Sequence, residues 1–141
     1  MNTIEECQNK DEIEKIISEI NHYNDSQTER VLPDVWIPIE LIAKNNKREI
    51  VGGVIGGVGY YAGFMIKILW VDESERKKGL GGKLLKQAEE IAIEKGAKLA
   101  ILETFSFQAE GFYLKQGYEN FGKIENFPKK GQNFLFLKKA L

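Results

Sequence analysis

Ile66-Lys67-Ile68-Leu69-Trp70-Val71, Asp72-Glu73-Ser74-Glu75 and Arg76-Lys77-Lys78-Gly79-Leu80-Gly81-Gly82 follow one another without a break: an apolar run, an acidic turn and a basic, glycine-rich turn. A helix is expected to open at Lys83, because Leu84, Leu85, Ala88, Ile91 and Ala92 recur at helical spacing. That period puts one apolar face on a sheet and leaves Lys83, Lys86, Glu89, Glu90 and Glu94 in water. Strand, glycine turn and helix in this order form an anion site. The first N–H groups of a helix have no carbonyl partner, and the helix dipole adds about half a positive charge there. Glycines at 79, 81 and 82 let an anion come close to those groups, and Arg76, Lys77 and Lys78 add positive field. A phosphate or pyrophosphate is the expected ligand.

Two well-known glycine turns are excluded by spacing. A Walker A loop needs G-x-x-x-x-G-K-S/T, but Gly82-Lys83 is followed by Leu84, and Lys77 stands where the first glycine belongs. The dinucleotide fingerprint G-x-G-x-x-G finds Gly79 and Gly81 but meets Leu84 at its third glycine.

The stretch resembles motif A of the GNAT superfamily of N-acetyltransferases, R/Q-x-x-G-x-G/A, here Arg76-Lys77-Lys78-Gly79-Leu80-Gly81, with Val71 five residues before the arginine. A second segment resembles the family's N-x-x-A-x-x-x-Y-x-x-x-G-F/Y: Ser106-Phe107-Gln108-Ala109-Glu110-Gly111-Phe112-Tyr113-Leu114-Lys115-Gln116-Gly117-Tyr118, with Ser106 in the place of the usual asparagine. The resemblance covers about residues 50 to 141. Length makes the chain one domain, residues 1–141, and the resemblance implies an α/β fold with a mixed, mostly antiparallel sheet, helices on both faces and a splayed pair of central parallel strands.

The remaining segments fit that outline. Asp11 is expected to cap a first helix, with Glu14 in the capping-box position and Ile13, Ile16, Ile17 and Ile20 lining a face that packs on the sheet. This helix is expected to end near Asn24-Asp25-Ser26. Pro33 and Pro38 bracket Trp36 in an extended connection. Glu40 to Lys44 and Glu49 to Gly59 form a hairpin through Asn45-Asn46-Lys47-Arg48, and a third strand covers Phe64 to Val71. The motif helix stops at Gly96. Leu99 to Leu102 is a buried strand parallel to its predecessor across the helix crossover. A helix from Gln108 to Gln116 closes at Gly117, and Tyr118 to Ile124 with Asn133 to Lys138 form a last hairpin.

Composition narrows the function. The chain has 141 residues, one cysteine, and 20 basic against 21 acidic residues for a net charge of −1. This balance gives no field toward nucleic acid or an anionic membrane. Cys7 cannot form an internal disulfide or a cysteine-based zinc site, and no metal is called for. The first residues lack the pattern of a signal peptide, so a cytoplasmic location is expected. Val51 to Val71 is nearly uncharged and carries three G-x-x-x-G pairs. Lys67, six glycines in the first thirteen residues and many β-branched or aromatic residues favour buried strands over a membrane helix.

The resemblance implies acetyl-CoA as co-substrate and an amine as acceptor. Pyrophosphate would sit on backbone N–H groups among Arg76, Lys77, Lys78, Gly79, Leu80, Gly81 and Gly82. Pantetheine would lie along Leu69, Trp70 and Val71, where a bulge splays that strand from the next, and Ser106 would reach it with a hydroxyl. Tyr113 aligns with the family's general acid, although a helix tyrosine with its tip at the rim of the core fits the same letters. No carboxylate stands between Tyr60 and Val71, so Glu103, at the mouth of the next strand, is the candidate base, against a solvated strand-end charge. His22 reads as a surface residue. Tyr23, Trp36, Tyr60, Tyr61 and Phe105 are candidates for the acceptor pocket, compatible with a small-molecule or peptide amine. Such domains often pair through their C-terminal strands, so a homodimer is one expectation. A non-catalytic acyl-CoA-binding regulatory module is the rival reading.

Overall fold

The computed structural model describes residues 1–34 and 36–141, and they divide into two compact units, Met1–Val31 and Leu32–Leu141. The first unit is a helix, α1, Lys10–Gln27. Its cap is Asn9, whose Oδ1 accepts from Glu12 N–H at 3.0 Å, while a Glu12 carboxylate oxygen accepts from Gln8 N–H at 3.2 Å. The capping box therefore lies two residues earlier than Asp11 and Glu14. Asparagine is as good a cap as aspartate, and the earlier start gains half a turn of hydrogen bonds. No residue of α1 is buried, and Ile13, Ile16, Ile17 and Ile20 are 46% to 64% exposed. Within the first unit that apolar face is not covered.

The second unit is built on a six-stranded sheet: β1 Trp36–Lys44, β2 Ile50–Gly59, β3 Gly63–Val71, β4 Leu99–Phe105, β5 Glu119–Glu125 and β6 Asn133–Ala140, in the order β1-β2-β3-β4-β6-β5. All neighbours are antiparallel except β3 and β4. Those two are joined by α2, Leu80–Glu94, and α3, Glu110–Lys115, follows β4. The crossover helix is what allows the parallel pair. β1 begins at Trp36, four residues before the expected start, and includes Pro38; as an edge strand, β1 tolerates a residue that cannot donate to a ladder.

One face of the sheet carries the core. Val54, Val58, Phe64, Ile66, Ala100, Leu102 and Leu137 meet Leu84, Leu85, Ala88 and Ala92 of α2. Glycines that could have joined membrane helices serve close approach within the sheet. A Cβ on Gly56 would lie 2.3 Å from the Met65 carbonyl, and one on Gly57 would lie 2.3 Å from the Trp36 ring. Among the described residues no helix is long and apolar enough to cross a membrane.

The β2–β3 ladder pairs Ile55 with Ile68 and Gly56 with Ile66, which leaves Lys67 as the extra residue of a bulge. At the same level β3 parts from β4. Their pairing runs from Gly63↔Leu99 to Ile66↔Leu102 and ends there, although β3 continues to Val71 and β4 to Phe105. The two central strands are therefore splayed over their C-terminal halves.

Candidate active site

At the splay, Val71 leads into a 3₁₀ turn, Glu73–Glu75, held by Asp72, whose carboxylate accepts from Ser74 N–H at 3.0 Å and from the Ser74 hydroxyl. These two bonds pull the Asp72 carboxyl below the usual carboxylate range. Arg76 is exposed but tethered through its guanidinium. Its Nε donates to the Val71 carbonyl at 3.1 Å and folds the turn back on the strand. Lys77 and Gly79 take left-handed conformations, φ +63° and +83°, and the second of these is why glycine suits position 79.

Helix α2 starts at Leu80, three residues earlier than the apolar period suggests. Gly81 and Gly82 thus belong to its first turn. The first intrahelical bond runs from Lys83 N–H to the Gly79 carbonyl at 3.1 Å, so the N–H groups of Leu80, Gly81 and Gly82 precede any helical acceptor. Gly79 supplies no capping side chain, and the first turn contains no acid. At the other end, Gly96 (φ +97°) donates to the Ile93 carbonyl and Ala97 to that of Ala92, which is a Schellman ending. The helix is closed at its C-terminus and open at its N-terminus.

That open end faces a groove of about 820 Å³. Of the residues expected to hold the co-substrate, Leu69, Trp70, Val71, Arg76, Lys77, Gly79, Leu80, Gly81, Gly82 and Tyr113 line it. Lys78 does not; it pairs loosely with Glu75 at 3.7 Å. Ser106 is also outside, because its Oγ accepts from Asn133 N–H at 2.9 Å and its own N–H donates to the Asn133 carbonyl. The hydroxyl expected to reach pantetheine is instead tied to β6.

The groove has a second wall that the motifs did not specify residue by residue. Phe107, Gln108, Phe112, Lys115 and Gln116 line it. Gln108 Oε1 accepts from Phe105 N–H at 2.7 Å and Thr104 Oγ1 at 3.1 Å, which occupies β4 groups beyond the point where β3 departs. This wall stands close to the glycine turn: Cβ atoms on Gly81 and Gly82 would lie 3.4 Å from Phe112 and Gln116, an ordinary contact distance. A signal for these positions existed in the i, i+3, i+4 spacing of Gln108, Phe112, Lys115 and Gln116, which places them along one side of a short helix.

Tyr113 is 7% exposed, yet it borders the groove, and among the described residues its hydroxyl has no hydrogen-bond partner. Burial raises its pKa above the ordinary phenol value. The sign follows: the unfolded chain gives up this proton first as pH rises, so the neutral phenol supports the fold below about pH 10 and loses that contribution above it. Any rate that uses this proton is expected to show no Tyr113-dependent alkaline fall below about pH 10, and a pH profile of kcat checks it.

The other expected site residues are dispersed. Glu103 is exposed on the splayed half of β4, on the face away from the buried Leu102 and Thr104, and does not line the groove. Phe105 is in a phenylalanine cluster, 5.2 Å from Phe107 and 4.8 Å from Phe134 between ring centroids. The Trp36 ring lies against Gly57 with Lys67 Nζ 4.8 Å from its centroid, beside the bulge. Tyr60 and Tyr61 pack edge to face in the β2–β3 turn, at the end of the sheet where β3 and β4 remain paired. That end is away from the splay. Tyr23, on α1 in the first unit, is exposed.

A splayed parallel pair, an uncapped helix N-terminus beside it and a buried phenol in the same groove define an acyl-coenzyme-binding transferase fold. An acetyltransferase (GNAT) domain family profile matches residues 37–120. The chain is 34% identical over 105 residues to a blasticidin-S acetyltransferase of Streptomyces morookaense, covering 72% of this chain and 76% of that protein. The crystal structure of an acetyltransferase from Bacillus cereus superposes with a TM-score of 0.86 at 39% identity, over 99% of this chain and 98% of that one. An aminoglycoside 6′-N-acetyltransferase complexed with coenzyme A shares the fold at a TM-score of 0.65 and 18% identity, over 87% and 79% of the two chains. The chain belongs to the GNAT acetyltransferase family and is an acetyl-CoA-dependent N-acetyltransferase.

Proposed function

We propose that this enzyme acetylates a primary amine of a small polar molecule by direct attack of the amine on the thioester. The observation that supports it most is a single groove that joins the open N-terminus of α2, the unpaired half of β3 and the Tyr113 hydroxyl. The amides of Leu80, Gly81 and Gly82 would hold pyrophosphate, with Arg76, Lys77 and Lys115 nearby as positive charge. On the edge that β4 leaves, main-chain groups of Leu69 to Val71 other than the Val71 carbonyl, which Arg76 holds, would bond the pantetheine arm as a missing strand would, and an N–H there would take up charge on the carbonyl oxygen. An N–C bond forms and a C–S bond breaks. The departing sulfur receives the Tyr113 proton, and the amine's proton leaves toward Glu103 and water on the exposed side of β4.

The relative that acetylates blasticidin S makes an antibiotic amine the first acceptor class to try. Thiol release from acetyl-CoA, measured against blasticidin S, other antibiotic amines, polyamines and short peptides, is expected to single out a small-molecule amine. If only peptides are acetylated, the acceptor reading is wrong while the transfer chemistry stands.

A further inference from the structure

Three side chains from distant parts of the second unit meet at one carboxylate. Glu89 of α2 lies on the side expected to face water, yet it is 7% exposed. Its Oε2 accepts from the Tyr118 hydroxyl at 2.7 Å, and its Oε1 accepts from Lys139 Nζ at 2.8 Å. A carboxylate this deep is costly unless paired, and an apolar residue there would often serve stability as well or better. None of the three residues lines the groove.

What the cluster touches is Tyr113. The Tyr118 ring stands edge-on to the Tyr113 ring, 5.8 Å between centroids at 70°, and Tyr118 N–H donates to the Tyr113 carbonyl at 3.1 Å. Phe112 holds Tyr113 from another side, 5.2 Å away at 72°. Lys139 covers the Tyr118 ring at 5.6 Å, and its stem passes so close to Gly117 that a Cβ there would lie 3.4 Å from Cε. With its hydroxyl and its ring face both held, Tyr118 has one orientation, and the Tyr113 ring rests against it. Burial and the neighbouring Glu89 raise the Tyr118 pKa, so this phenol remains a donor.

We propose that Glu89 is a positioning residue: with Lys139 it anchors the Tyr118 hydroxyl, and the anchored Tyr118 ring sets the Tyr113 phenol at the groove. The inference rests on Tyr113 being the general acid. Tyr118→Phe keeps the ring and the Glu89–Lys139 pair but removes the anchor, and Glu89→Ala removes it from the other side. Each is expected to lower kcat about tenfold with the acetyl-CoA KM within about twofold of the wild type. Glu89→Gln, which retains an acceptor for the Tyr118 hydroxyl, is expected to recover most of that loss.

The same substitutions made in Tyr113→Phe provide the decisive readout, since there they should leave kcat unchanged. A further tenfold loss in that background, or a Tyr118→Phe enzyme as fast as the wild type, overturns the positioning role. A Tyr113→Phe enzyme with undiminished kcat overturns the acid assignment itself, and this inference with it. Should Glu89→Ala not fold, Tyr118→Phe decides alone, because it leaves the buried ion pair intact.

Discussion

Gly81→Glu is expected to abolish acetyl-CoA binding while leaving the protein folded. The N–H groups of Leu80, Gly81 and Gly82 precede the first helical bond, Gly79 supplies no capping side chain, and the first turn of α2 holds no acid. A Cβ on Gly81 would meet Phe112 and Val71 at 3.4 Å and 3.6 Å, ordinary contact distances, so the backbone accepts a side chain there. The added carboxylate, however, enters the groove, repels pyrophosphate and can take its place on the free amides, where a negative group is favoured. Hydrogen bonds to a charged group contribute about 1.5–3 kcal/mol each, and losing two of them weakens binding by a factor of 100 or more, at about 1.4 kcal/mol per tenfold. Calorimetry with acetyl-CoA measures this directly. Gly81→Ala is the control, expected to bind within about tenfold of the wild type and to melt no lower, because alanine favours a helix. Equal affinity in Gly81→Glu and wild type would move the pyrophosphate away from α2.

Tyr113→Phe carries the second large effect. Removing the hydroxyl leaves the ring against Phe112 and Tyr118, and since this hydroxyl has no partner among the described residues, no buried bond is broken. Stability should hold, because the hydroxyl opens on the groove and no hydrogen bond within the protein is lost with it. kcat should fall by about 10²–10³, the usual contribution of a positioned proton donor, at an unchanged acetyl-CoA KM. The split between kcat and KM separates loss of the acid from damage to the groove. If kcat falls by less than about threefold, the departing thiolate takes its proton from elsewhere.

Some of the structure was legible from spacing. The apolar run to Val71, the basic glycine turn and the period of α2 specify strand, turn and helix, because each is a local pattern that local backbone geometry must satisfy. The parallel direction of β4 also followed, since a helix crossover returns the chain the same way. Boundaries were less legible. Gly81 and Gly82 read as loop residues, but the first turn of a helix needs no donors within the helix and tolerates glycine there, so α2 begins at Leu80. The cap of α1 moved to Asn9 for a similar reason, two adequate caps competing within one turn.

By itself, the sequence determined the class of this protein, through motifs whose chemistry is carried by backbone: glycines that open a helix end and a strand that leaves its neighbour. Tertiary structure alone decided the partners of individual side chains. Ser106 was drawn to Asn133 because β6 inserts beside β4, a non-consecutive neighbour that no local pattern announces. Phe105 joined the phenylalanines of β6 and its preceding turn by the same insertion. Glu89 follows a helical period that reads as solvated, yet Tyr118 and Lys139, 29 and 50 residues onward, close over it. Period reports which residues share a face; only the fold brings the group that faces them.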